Sequence, residues 1–192
     1  MNKVDTFRTE IRYIRNARLA DNIKKMIELL PDYFFEIPAS STGKYHPSFA
    51  LGEGGLVRHT KAAVRIGHEL LENECIGNVF TNDEKDMIIM SLIMHDGCKS
   101  GLTKGEYTVV NHPSIVVKLI RDNASKLTLE EDELKLICGM IEAHMGPYNK
   151  DFKGNTVLPL PSNKYQKFVH MCDLLASKKF LDIKFNNNEI VE

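Results

Sequence analysis

Six residues of this 192-residue chain carry imidazole or carboxylate groups in an order that could hold cations: His59, the doublet His95-Asp96, His112, His144 and Asp173. Each falls where helical periodicity calls for an apolar side chain. His59 shares a face with Ala63, Ile66 and Leu70; His95 follows Ile88 and Leu92; His112 stands at a helix mouth above Val116 and Leu119; His144 continues Ile137 and Ile141; Asp173 aligns with Val169, Ala176 and Phe180. Burying an ionisable group without a partner is costly, and one His on an apolar face is ordinarily a hydrogen-bonded core residue. Four His and two Asp from five successive helices are more economically explained by one shared metal centre. These ligand types suit Mn, Fe, Co, Ni or Zn.

The elements that must position them read as six amphipathic helices, with no repeat or composition shift to mark a second folding unit. A first helix over about Asp5 to Leu30 is stopped by Pro31 and carries Arg8, Arg12 and Arg15 as a solvated basic stripe. A Gly-, Ser- and Pro-rich loop, 39–55, leads into a helix from Leu56 to just before Gly77. The next opens after Thr81 with acidic residues in its first turn and ends at HDGCKSG. Pro113 starts a fourth helix, Thr128 and Glu131 stand in capping-box spacing before a fifth, and a sixth runs from Ser162 toward Phe180. Segments 106–110 and 155–160 read as extended, and the tail from 186 to 192 as frayed. The expected fold is an all-α helical bundle with a central metal site. Residues 1–44 form an N-terminal helix and connecting loop packed on a core of residues 45–185.

The whole-chain numbers narrow the function. With 25 Lys plus Arg against 26 Asp plus Glu, the formal charge is −1, so a polyanion-gripping surface for nonspecific duplex DNA is not expected. No apolar run has the roughly 20 residues of a membrane-spanning helix, and the start lacks a secretory apolar block, so the sequence reads as cytoplasmic. Cys75, Cys98, Cys138 and Cys172 form no CxxC pair and read as buried free thiols. The apolar segment DYFFEI at 32–37 leaves open whether it packs on the core or makes an oligomer.

The order His, His-Asp, His, His, Asp resembles the HD-domain superfamily, whose signature maps onto His59, His95, Asp96 and Asp173. The added pair His112 and His144 is similar to that of members holding two metals. The segments YHPSFALGEGGLVRHT, IMHDGCKSG, NHPSIVVKLI, EAHMG and FVHMCDLLASK resemble, in order and spacing, the HD domain of bacterial 3′-to-5′ exoribonucleases over about residues 45–180. Two departures stand out: HDGCK replaces the usual doublet-Ile-Gly-Lys pattern, and Met145 stands where many two-metal phosphodiesterases have a second adjacent His. The cyclic-di-GMP motif Gly-Tyr-Pro is absent; GPY at 146–148 differs in order.

The resemblance implies two divalent metal ions, one held by His59, His95, Asp96 and Asp173 and the other by Asp96, His112 and His144, with Asp96 bridging. Such a pair activates water as hydroxide and orients a phosphoryl oxygen for in-line attack. The implied activity is a metal-dependent phosphohydrolase, foremost a phosphodiesterase acting on a nucleotide, cyclic nucleotide or short oligonucleotide. Asp96 and Lys99 are the implied catalytic residues, Lys99 reaching the substrate phosphate as a point charge. His46 in the Gly-rich loop and Tyr148 in the long loop before the last helix are candidate substrate contacts, Tyr148 by stacking on a base. Arg58 reads as structural, and His170 as either a hydrogen-bond partner of Asp173 or a core residue. The same ligand order also resembles HD-type di-iron oxygenases acting on small molecules, and a nucleotide-sensing module without turnover is a third reading.

Overall fold

A computed structural model describes residues 2–44, 46–181 and 183–191. Among these residues the chain is all-α apart from one small β-ribbon. Its helices are α1 Lys3–Thr6, α2 Arg8–Ile11, α3 Ala17–Glu28, α4 Gly55–Glu72, α5 Glu74–Gly77, α6 Asn82–Met94, α7 His112–Asp122, α8 Glu131–Ala143 and α9 Lys164–Ala176. The ribbon pairs β1 Phe185–Asn186 with β2 Glu189–Ile190 in antiparallel register.

Helix α6 forms the axis of the bundle. Every residue from Asp86 to Met94 is buried, as expected of a helix apolar on all sides, and Thr81 with Glu84 closes a capping box at its start. Helices α4, α8 and α9 pack around it, with α4 also on α9 and α7 on α8. Phe7, Ile23, Ile27 and Leu30 close the core on the N-terminal side. Tyr33, Phe34 and Phe35 are buried there too, Phe34 and Phe35 against Phe7, so the apolar 32–37 segment serves the fold of this chain.

Several local expectations are corrected. The single helix expected from Asp5 to Leu30 is three pieces, interrupted at Phe7 and at 12–16. Asn16 caps α3 through its side chain, while the Asp86 carboxylate accepts from the amides of Arg15 and Asn16, satisfying donors that a continuous helix would have used internally. The three arginines are nonetheless solvated as expected, Arg15 pairing with Glu72. The helix expected to reach Gly77 breaks at Asn73, whose side chain caps α5. Thr128 does not cap α8; Glu130 and Glu133 do, and Thr128 exchanges two hydrogen bonds with Asn22. Helix α9 stops at Ala176, leaving Phe180 77% exposed rather than on a buried stripe. Residues 106–110 form no strand, and 155–160 contribute only an isolated bridge, Thr156 to Lys150. Cys75 is exposed, whereas the other three cysteines are buried as expected.

The tail also departs from a frayed end as far as residue 191, residue 192 lying outside the described residues. Asn187, at φ 53, turns the β-ribbon, which docks on α4. Lys61 of α4 is fully buried and lies 2.5 Å from Glu189 and 3.6 Å from the buried Glu10. Asn188 accepts from Arg58, and Phe185 packs on Phe49 with ring centroids 5.2 Å apart.

A candidate metal centre

The six residues singled out by their spacing converge on one buried point where helix ends meet. His95 is the C-terminal cap of α6, with Asp96 next to it; His144 caps α8; Asp173 lies in the last turn of α9. His59 comes from the second turn of α4 and His112 from the first residue of α7. Carbonyl-rich helix C-termini carry partial negative charge, which favours a cation among them. The local geometry follows from the chain. Gly97 follows the doublet because a Cβ there would lie 2.5 Å from Leu30, so glycine lets the end of α6 close onto the end of α3.

Three of the imidazoles are oriented by backbone carbonyls three residues before them. The Nδ1 atoms of His95, His112 and His144 meet the carbonyl oxygens of Leu92, Val109 and Ile141 at 2.7, 2.7 and 2.8 Å. A ring nitrogen meets a carbonyl only by donating, so in the neutral ring Nε2 is left with a bare lone pair aimed into the cluster. The Nε2 atoms of His112 and His144 face each other at 3.4 Å, a repulsive arrangement unless a proton or cation lies between them. His170 donates to the His144 carbonyl at 2.7 Å, so it braces the backbone of the cluster and not the Asp173 carboxylate. Gly146, at φ +56, makes room for it, since a Cβ would lie 2.3 Å from the His170 ring.

Asp96 sits at the centre, its two oxygens turned to different partners. Oδ2 lies 3.6 Å from His59 and 3.5 Å from His95, while Oδ1 lies 2.9 Å from His112 and 3.6 Å from His144, in each case measured to Nε2. Asp173 Oδ1 completes the first side at 2.9 Å from His59 and 3.5 Å from His95. Lys99 reaches Asp96 Oδ2 with its ammonium. Two triads have their ligand atoms within 4.8 Å of one another: His59, His95 and Asp173, and His95, Asp96 and His144.

Burial and charge oppose each other here. Burial disfavours the charged imidazolium of His95, but Asp96 and Asp173 outweigh it and push the group up to about 10. Burial prevails for His59 and His112, holding both below the usual range. Burial acts to raise Asp96 as well, yet Lys99 and His95 hold it well below the ordinary carboxylate range, and His59 and His95 do the same for Asp173. His95 Nε2, Asp96 Oδ1 and His59 Nδ1 are buried without a well-formed hydrogen bond. Imidazole nitrogens and carboxylate oxygens gathered at one point fit a divalent cation, which His59 and His112 meet as neutral rings and His95 once it gives up its proton.

Of the remaining candidates, His46 touches the cluster. His46 is half-buried with its ring edge-on to His59, centroids 4.9 Å apart, and burial followed by the nearby His59 lowers it to about 3. Tyr148 is 64% exposed on the loop after α8. Arg58 is structural: besides Asn188 it donates to the carbonyls of Phe49, Leu51 and Glu53 and so gathers the loop that carries His46. Cys98 is a buried thiol that burial pushes up to about 12. Sequence periodicity did not reveal Tyr33, whose hydroxyl accepts from the Ser100 amide and donates to the Gly101 carbonyl, fixing the turn after Lys99. An aromatic residue in an apolar run gives no sign of such a contact.

Fold and site together define an all-α bundle built round a buried His/Asp cluster of metal-binding character. The chain is similar to the 3′-5′ exoribonuclease YhaM of Listeria welshimeri, at 24% identity over 179 residues, taking in 88% of this chain and 52% of that protein. The proteins of the same name from Listeria monocytogenes and Listeria innocua match to the same extent. The chain thus spans about half the length of the curated relatives it matches. No family model and no solved structure matches it.

Proposed function

We propose that the chain is a metal-dependent phosphohydrolase of HD-domain type over residues 45–185, and more narrowly a phosphodiesterase acting on a nucleotide, cyclic nucleotide or short oligonucleotide. The observation that carries this reading is the division of Asp96, with one oxygen toward His59 and His95 and the other toward His112 and His144. In this reading His59, His95, Asp96 and Asp173 hold one cation, and Asp96, His112 and His144 hold a second. Bound there, divalent cations lower the pKa of water and polarise a phosphoryl oxygen. Backbone carbonyls fix the rings of His95, His112 and His144 in advance, so little reorganisation accompanies binding. Lys99 presents a positive charge to a substrate phosphate, and His46 and Tyr148 are further substrate contacts. The similarity to proteins named exoribonucleases supports a phosphodiester substrate.

The test is cleavage of a nitrophenyl phosphodiester and the matching monoester after anaerobic loading of the metal-free chain with Mn, Co, Ni, Zn or Fe in turn. Metal-dependent diester cleavage is expected, falling by about 100-fold or more in Asp96→Ala. Undiminished cleavage in that variant would overturn the assignment. Silence toward both esters, with two bound irons and oxygen uptake, would replace it with a di-iron oxygenase.

A further inference from the structure

A cleft of about 300 Å³ opens beside Lys99, with Glu36, Ile37 and Pro38 on one wall and Lys99, Lys104 and Glu106 on the other. Its position matters because the cluster is almost sealed. The four imidazoles are 0% exposed and Asp96 1%, whereas the side chains of Lys99 and Asp173 retain 11% and 19% exposure. A ligand entering the cleft meets Lys99 directly, and through it the Asp96 carboxylate.

Both walls are anchored to the elements that build the cluster. On one side, the amides of Gly54 and Leu56 donate to the carbonyls of Glu36 and Ile37, each at 2.9 Å, tying that wall to the start of α4 and hence to His59. On the other, Gly105 donates to the Ser100 carbonyl at 3.0 Å and Val109 to that of Lys99 at 2.8 Å, while Tyr33 holds residues 100 and 101. The cleft is therefore preformed, and its volume lies at the lower end of the range for small-molecule sites, about 300–1,000 Å³. That volume accommodates one nucleotide unit.

Its chemistry is graded. Lys99 and Lys104 line the cleft and supply its positive charge, which suits a phosphate. Glu36 and Glu106 are acceptors, which sugar hydroxyls and exocyclic base amines satisfy as donors. Ile37 and Pro38 give the apolar surface on which a base or sugar packs. Two carboxylates beside two ammonium groups also set a limit, since successive phosphates of a long strand would meet Glu36 and Glu106 once the lysines were engaged.

We infer that this cleft binds a single nucleoside monophosphate unit, with its phosphate at Lys99 and Lys104 and its sugar and base toward Glu36, Glu106 and the Ile37–Pro38 surface. The inference rests on the proposed phosphohydrolase reading for its catalytic meaning, while the binding itself is read separately. Calorimetric titration of the metal-loaded chain with AMP, with inorganic phosphate and with an RNA of about twenty nucleotides tests it. AMP should bind more tightly than inorganic phosphate, and the RNA no more than about threefold more tightly than AMP. Lys104→Ala should weaken AMP about fivefold, and Glu106→Gln should lower the preference for AMP over inorganic phosphate about threefold. Lys104 and Glu106 are exposed, so both variants should fold.

Equal affinity for AMP and inorganic phosphate, AMP binding indifferent to both substitutions, or RNA binding tenfold or more tighter than AMP would each overturn the inference. AMP binding with this pattern in a chain that cleaves no phosphoester would uphold the cleft and remove the catalytic reading. The two failures are thereby distinct.

Discussion

At the scale of single residues, the cluster couples protons to metal in a direction that can be worked out. His95 is held up to about 10, so in the metal-free chain it is protonated at neutral pH, and a cation must displace that proton to use Nε2. Metal affinity should then rise with pH, by about tenfold per unit for one displaced proton. Within the metal-free chain, the His95 contribution to stability runs the other way. The raised His95 contributes fully below its ordinary 6.5 and loses that contribution as pH climbs through about 10. The depressed Asp96 and Asp173 contribute above their ordinary 3.8 and lose it as pH falls toward their low folded values. Melting with and without Mn at pH 6 and pH 8 should show the larger metal-induced rise in Tm at pH 8. A rise that is equal or smaller there would contradict the protonation assigned to His95.

At the scale of elements, the existence of the helices was easier to read than their interruptions. The period that predicts one helix from Asp5 to Leu30 is real, and Phe7, Ile11, Ile14, Ile23, Ile27 and Leu30 are all buried. The break is made by Asp86, which is seventy positions away in sequence from the Asn16 amide it accepts, and no local pattern encodes that bond. The clustered residues were legible for the opposite reason, since the five besides Asp96 continue the apolar stripe of a helix they belong to or cap, and Asp96 forms a doublet with one of them. The His170 contact with the His144 carbonyl was not, because it joins two helices through the backbone of one of them. Lys61 was also missed: a lysine in a helix reads as solvated, yet here it is fully buried between Glu10 and Glu189. Replacing it with Met leaves Glu10 buried without its cation and should destabilise the fold by about 3–5 kcal/mol in urea denaturation. Burial raises the Glu10 pKa above its usual 4.5. Between 4.5 and that raised value the folded chain binds the extra proton, so stability falls as pH rises through the window. Lys61→Met should widen this window and be partly relieved at acid pH. A deficit independent of pH would show that the loss comes from packing.

At the scale of the whole molecule, the formal charge is near neutral, the cleft beside Lys99 carries lysines and glutamates alike, and no helix among the described residues is long and apolar enough to cross a membrane. The segment before residue 45 is more than a covering for the rest: Phe7, Phe34 and Phe35 belong to the same core as the helices that carry the cluster. The C-terminal ribbon is joined to that core just as closely. Deleting residues 185–192 takes Glu189 from Lys61, Asn188 from Arg58 and Phe185 from Phe49. Hydrogen exchange should then quicken over residues 46–54, with Tm lower by about 2–4 °C for each 1 kcal/mol lost. Protection of that loop unchanged by the deletion would refute the link. Arg58 passes the effect inward, because the carbonyls it gathers belong to the loop that seats His46 beside His59. In genetic terms, a stop codon at position 185 would read as a lesion at position 46: screens for lost activity should recover truncations of the tail among alleles of the pocket, although the tail contributes no group to the chemistry.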